Sequence, residues 1–233
     1  MKISDSKVLI TGGSRGLGRA MAEMLIGKGA RVAITSRSAE EVQKVADDIG
    51  ALGIAADVRD DGDIDKTFQV IQKEFGGLDV LINNAGFGDW AEVDQLTREN
   101  LTNVYETNVF GAAVMGARAA AIFKKQQSGH IINIGSTAGL KGYAKGSIYV
   151  SSKFALRGLT ECWRAELRPH NVRVMLLNPS EVPTSFGQSS GQSRPLEEKK
   201  LTPVEIAHAV CALLEMDDRG FIPELSVWAT NPF

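Results

Sequence analysis

The sequence predicts a doubly wound α/β fold, a parallel sheet with helices on both faces. Three observations carry that prediction. Short apolar runs alternate with longer stretches of helical periodicity, which is the pattern of βαβ units. The turn after the first apolar run is rich in glycine. A chain of 233 residues, 43% hydrophobic and 23% charged, has the balance of a globular protein large enough to bury a core unaided.

The elements follow in order. Lys7–Thr11, Arg31–Thr35, Ile54–Val58, Val80–Asn83, His130–Ile134 and Val172–Leu177 read as strands, because runs this short with apolar residues at both parities suit burial on two faces. Helices are expected between them at Gly16–Gly29, Ala39–Ile49, Ile64–Phe75, Glu99–Lys124 and Ser151–Arg168. In the first of these, Leu17, Ala20, Met21, Met24 and Leu25 recur at helical spacing and Gly29 supplies the stop. After Leu177 the alternation breaks, and residues 179–200 form a Ser, Gln, Gly and Pro-rich stretch just beyond a strand's carboxyl end, the place of an active-site lid. A final helix at Pro203–Leu214 and an apolar tail from Phe221 to Phe233 complete a single expected domain over 1–233.

Composition excludes several classes. Lys plus Arg total 26 against 28 for Asp plus Glu, so nothing drives the chain generically toward nucleic acid or an anionic membrane. Cys162 and Cys211 form no disulfide framework and no metal-ligand spacing, so no metal is expected. The polar start Met1–Ser6 has no signal-peptide pattern, and the apolar stretch Gly111–Phe123 is short and carries Arg118, so a cytoplasmic protein is expected.

Glycine is the one surplus, 24 residues or about 10% against a usual ~7%. Part of it lies in Thr11-Gly12-Gly13-Ser14-Arg15-Gly16-Leu17-Gly18, between a predicted strand and a predicted helix. In that context Gly12, Gly16 and Gly18 permit unusual backbone angles and let a pyrophosphate approach the free N–H groups of a helix amino terminus. Ser14, Arg15 and Leu17 complete the loop. Arg37 ends the second strand, where an acidic residue would hold the ribose 2′-hydroxyl of NAD; arginine there, with Arg15, suits the 2′-phosphate of NADP(H), which is therefore the expected cofactor.

Tyr149 and Lys153 lie one helical turn apart, so an ammonium stands beside a phenol and is expected to lower its pKa. Ser136 follows the strand HIINI at the edge where ligands bind, placed to hold a carbonyl oxygen that Tyr149 protonates.

With these residues in order, the sequence resembles the short-chain dehydrogenase/reductase family. The resemblance rests on TGGSRGLG, Asp57-Val58, Asn83-Asn84-Ala85-Gly86, Asn108, Ser136 and Tyr149-x-x-x-Lys153, and it spans nearly the whole chain. It implies a Rossmann-type domain with Asn108, Ser136, Tyr149 and Lys153 as a catalytic tetrad. Tyrosine would be the acid/base and serine the carbonyl orienter. Lysine would bind the nicotinamide ribose and lower the tyrosine pKa, and asparagine would support a water-mediated relay. It further implies Asp57 and Val58 at the adenine, Asn84, Ala85 and Gly86 along the ribose and diphosphate, and Pro179, Val182 and Thr184 at the carboxamide. Ser180 stands where the family has glycine, and the tail lacks the family's glycine-rich final strand. A homo-oligomer, dimer or tetramer, is implied through the helices near Phe110–Phe123 and Ser151–Leu167.

The substrate is expected to be a ketone or aldehyde, or its alcohol, and the walls Phe87, Trp90, Leu140, Tyr143 and Phe186 suggest a pocket for an apolar or aromatic one. Two rivals stand. One is a 3-oxoacyl-carrier-protein reductase, for which a basic mouth around Lys141 and Lys145 would speak; the other is a cofactor-binding regulator without turnover, which would have no need of an intact tetrad.

Overall fold

Alternate residues of a strand face opposite sides of a sheet, and in KVLIT the side chains of Val8 and Ile10 enter one apolar layer while Leu9 enters the other. A strand buried on both faces must be sheathed by helices twice. The computed structural model of the chain describes residues 1–184, 186 and 199–231, and among them seven parallel strands form one sheet of order β3-β2-β1-β4-β5-β6-β7. They are β1 (Lys7–Thr11), β2 (Arg31–Ser36), β3 (Leu52–Ala55), β4 (Val80–Asn83), β5 (Gly129–Ile134), β6 (Val172–Pro179) and β7 (Glu224–Val227).

Helices α1 (Gly16–Gly27), α2 (Ala39–Ile49) and α7 (Pro203–Glu215) cover one face through Met21, Leu25, Val45, Ile206 and Val210. The other face lies under α3 (Asp61–Phe75), α5 (Ala112–Gln126) and α6 (Ser147–Leu167), through Phe68, Ile71, Met115, Phe123 and Leu167. Helix α4 (Arg98–Tyr105) precedes a π-helical turn at Glu106–Gly111 that leads into α5. The chain winds outward from β1 to β3 and then crosses to β4, so the carboxyl ends of β1 and β4 part at a topological switch point. Asn84 spans the gap: its Nδ2 donates to the carbonyls of Thr11 and Gly12 at 2.9 and 3.0 Å. Helix α6 is pinned to the sheet by Asn133 Nδ2, which donates to Thr160 Oγ1 at 2.8 Å.

Several boundaries differ from expectation. The third strand is Leu52–Ala55, not Ile54–Val58: the Ala56 amide donates a last hydrogen bond to the Ser36 carbonyl of β2, and the Asp57 amide then turns away to the Asp63 carboxylate. The helix expected over Glu99–Lys124 is broken by the π turn. Helix α6 starts at Ser147, so Tyr149 lies inside it, not before it. The apolar tail contains β7, whose Val227 carbonyl accepts from the Ser180 amide at 2.9 Å. Of the lid expected at 179–200, residues 185 and 187–198 lie outside the described residues, as do 232 and 233 of the tail.

Candidate active site

The crevice opens into a cleft of about 1720 Å³ that runs from the glycine turn to Trp228. Pockets for single drug-sized ligands hold about 300–1,000 Å³, so this one has room for a dinucleotide and a second small molecule. At one end, Gly12 and Gly16 take φ of +65° and +54°, a region that disfavours side chains. Arg15 precedes α1 in extended conformation without capping it, and the first turn of α1 holds no acidic residue. The N–H groups there are left for an anion, with the helix dipole in its favour. A Cβ on Gly18 would collide with the Gly12 carbonyl oxygen and lie 2.7 Å from Asn84 Nδ2, so the loop can pack this closely on the helix only with glycine at 18. The residues present fit a dinucleotide diphosphate.

Arg15 and Arg37 line this end and are exposed. Asp57 lines it too, clasped by Arg59, whose Nη2 reaches Oδ2 at 2.6 Å and holds the carboxyl below the usual carboxylate range. Glu41 and Ser36 also line it; Ser14 Oγ donates to Glu41 Oε1 at 3.0 Å. Sequence reasoning missed both, although the stretch Ser36–Ser38 around Arg37 was a usable signal.

The other end carries the reactive side chains. Strand β5 ends at Ile134, and Ser136 two residues on lines the cleft together with Tyr149. Tyr149 is only 8% exposed, and burial pushes its phenol up to about 12 against a downward pull from Ser136. Lys153 is buried one turn along α6, where its Nζ donates to the Ile134 carbonyl at 2.9 Å and lies 5.7 Å from the centre of the Tyr149 ring. Burial brings its ammonium down to about 8. The expected lowering of the tyrosine by this lysine is not what sets its direction here: burial raises the phenol, with Ser136 opposing it.

Asn108 sits in the π turn, 1% exposed and off the cleft's lining. Its Oδ1 accepts from the Phe87 amide at 3.0 Å, and its Nδ2 donates to the Phe87 carbonyl and to Ser152 Oγ at 2.9 and 3.0 Å. It thus clamps the loop after β4 to α6. Gly18 and Leu140 likewise lie off the lining, to which the turn after Leu140 presents Lys141, Gly142 and Tyr143. The other expected residues line the cleft, namely Gly12, Ser14, Arg15, Gly16, Leu17, Arg37, Asp57, Val58, Asn84, Ala85, Gly86, Phe87, Trp90, Ser136, Tyr143, Tyr149, Lys153, Pro179, Val182, Thr184 and Phe186. Trp228, just past β7, was missed because the strand that delivers it was missed.

Among the described residues no helix is long and apolar enough to cross a membrane, and no group of His, Cys, Asp and Glu could hold a metal ion.

Comparison with known proteins bears on this geometry. A family model described as short chain dehydrogenase matches residues 6–195. A human 3-oxoacyl-[acyl-carrier-protein] reductase is 32% identical over 220 residues, covering 91% of this chain and 92% of that protein. The crystal structure of an alcohol dehydrogenase from Thermococcus sibiricus, complexed with 5-hydroxy-NADP, superimposes with a TM-score of 0.89 at 28% identity, over 97% of each chain. A 3-ketoacyl-(acyl-carrier-protein) reductase from Brucella melitensis, complexed with NADH, gives 0.88 at 25% identity, over 99% of this chain and 100% of that one.

Proposed function

This chain belongs to the short-chain dehydrogenase family, and from that premise we propose that it is an NADP(H)-dependent oxidoreductase interconverting a ketone or aldehyde and its alcohol. The observation that carries the reading is the convergence of Ser136, Tyr149 and buried Lys153 at the far end of one cleft from the glycine turn.

The glycine turn and the start of α1 would hold the cofactor's diphosphate, Arg15 and Arg37 its 2′-phosphate, and Lys153 the nicotinamide ribose. Bound there, the cofactor supplies a hydride to the carbonyl carbon. Ser136 donates to the carbonyl oxygen and fixes it at hydrogen-bonding distance from Tyr149. Tyr149, a phenol protonated at neutral pH and pushed further up by burial, gives its proton to that oxygen as the alcohol forms. The phenolate left behind gains an ammonium neighbour in Lys153, whose pKa near 8 lets it take part in returning a proton. Asn108 keeps the Phe87 loop and α6 in register throughout.

The NADP of the Thermococcus complex supports the phosphate assignment, and the exposed Phe110 and Phe154 support pairing of two copies through the π turn and α6. The likeness to the human carrier-protein reductase favours a second reading, reduction of a 3-oxoacyl thioester. The charge at the mouth favours the first: Lys145 is tied to Glu92 at 2.8 Å, Glu181 is paired with Lys200 at 3.3 Å, and Asp89 brings a carboxylate to the same cleft. Replacing Tyr149 with Phe tests the mechanism. Turnover should vanish while NADPH binding stays within about twofold, since only a hydroxyl is lost; an active variant would overturn the assignment.

A further inference from the structure

The chain has 15 aromatic residues among its Phe, Trp and Tyr, and six of them line this one cleft: Phe87, Trp90, Tyr143, Tyr149, Phe186 and Trp228. Large apolar side chains held partly in water need an occupant to repay their exposure. Trp228 is 65% exposed and Tyr143 49%, with Trp90 at 41%.

Their arrangement is specific. The Trp90 and Phe186 rings both meet the Tyr149 ring, at centroid distances of 5.8 and 5.4 Å. Trp90 Nε1 donates to the Tyr143 hydroxyl at 3.1 Å, which fixes the indole's orientation. Both rings also reach over Gly88: a Cβ built there would collide with the Trp90 ring and lie 3.1 Å from Phe186. Gly88 is therefore the floor that lets two rings converge beside the reactive tyrosine. Trp228 joins the same lining, carried in by β7, whose Val227 carbonyl accepts from the Ser180 amide just past β6.

We infer that the substrate carries its carbonyl on a flat aromatic ring, received against the exposed parts of Trp90 and Phe186 where they close over Gly88, with Trp228 as the outer wall. Aromatic faces prefer offset or edge-to-face partners, which a planar ring provides and a puckered one does not. A neutral ring also suits a rim bearing both Lys141 and the Asp89 carboxylate. This rests on the carbonyl-reductase reading of the same site.

The test compares acetophenone with cyclohexyl methyl ketone, which share a carbon skeleton but differ in ring planarity. Calorimetric titration in the presence of saturating NADP+ measures binding with no hydride to transfer, and NADPH turnover is followed separately. The aryl ketone should bind about tenfold more tightly, the scale of one favourable aromatic pair, and Trp228→Ala or Gly88→Ala should reduce that preference at least threefold. Equal binding of the two ketones, binding of neither, or a preference unchanged in both variants would overturn the inference. Tight aryl binding without NADPH oxidation would sustain the ring site and overturn the carbonyl-reductase reading instead.

Discussion

Two glycines in one helix give a matched experiment. Gly18 and Gly27 both lie in α1 with ordinary negative φ, so an alanine at either should gain helix propensity, about 1 kcal/mol in an interior position and less at the last turn. At Gly27 a Cβ meets nothing within 4 Å, and Gly27→Ala should stabilise the protein by about 0.5 kcal/mol. At Gly18 it runs into the Gly12 carbonyl oxygen, Asn84 Nδ2 at 2.7 Å and Gly13 Cα at 2.9 Å. Two of those three atoms are backbone and the third is a hydrogen-bonded amide, so no rotamer change relieves them. Overpacking of this kind costs about 1–3 kcal/mol, enough to cancel the propensity gain of about 1 kcal/mol and leave a net loss of up to about 2 kcal/mol. Relief must come from the loop, which would move away from the amino end of α1. Urea unfolding measures the stabilities and fluorescence titration the binding of NADPH. Gly18→Ala should be less stable and bind NADPH at least tenfold more weakly, while Gly27→Ala binds normally. A Gly18→Ala protein with native stability and native affinity would refute the role of loop–helix contact in shaping the site.

Two further outcomes follow from charge. Arg37→Asp should move the NADPH/NADH preference toward NADH by on the order of 10- to 100-fold, the loss of a charge-assisted hydrogen bond, measured as a ratio of kcat/KM values; an unchanged ratio removes Arg37 from the phosphate site. His130, at the start of β5, is brought down to about 4 by burial first and then by Arg173. Its folded pKa lies below the ordinary 6.5, so the unfolded chain holds the extra proton between those values, and stability should fall by about 3 kcal/mol as pH drops from 6.5 to 4. Comparing urea midpoints of the native protein and His130→Leu at pH 7 and 4.5 checks this, and an identical acid sensitivity would exclude the histidine as its source.

What the sequence displayed was governed by how far each segment is buried. The five strands β1, β2, β4, β5 and β6 stand in the middle of the sheet or near it, and their apolar runs leave little choice. Strand β7 is an edge with one neighbour, all four of its residues half-buried, and Pro223 precedes it. Edge strands need few apolar residues and tolerate proline nearby, so its pattern was indistinct and Trp228 was lost with it. The π turn was hidden for a different reason. One extra residue per turn barely disturbs helical periodicity over Glu99–Lys124, and the trace it leaves is the close approach of Gly111 to the Val58 carbonyl, a contact between distant segments.

The reactive pair shows where spacing stops being informative. Four residues in a helix fix that Tyr149 and Lys153 share a face, and that much was legible. Their protonation depends on what surrounds them. A charge at 5.7 Å from the ring centre favours a phenolate, yet removing the phenolate from water disfavours it, and the structure places Tyr149 under Trp90 and Phe186, where the second effect wins. The same burial that holds the phenol protonated holds the ammonium near 8, so each partner is shifted toward its neutral form. A site in that state favours proton donation to a carbonyl oxygen over proton removal from an alcohol. If the Trp90 and Phe186 rings impose it, Trp90→Ala should lower the upper pKa of the kcat/KM profile for ketone reduction. A profile that does not move would place the cause of the desolvation elsewhere in the fold.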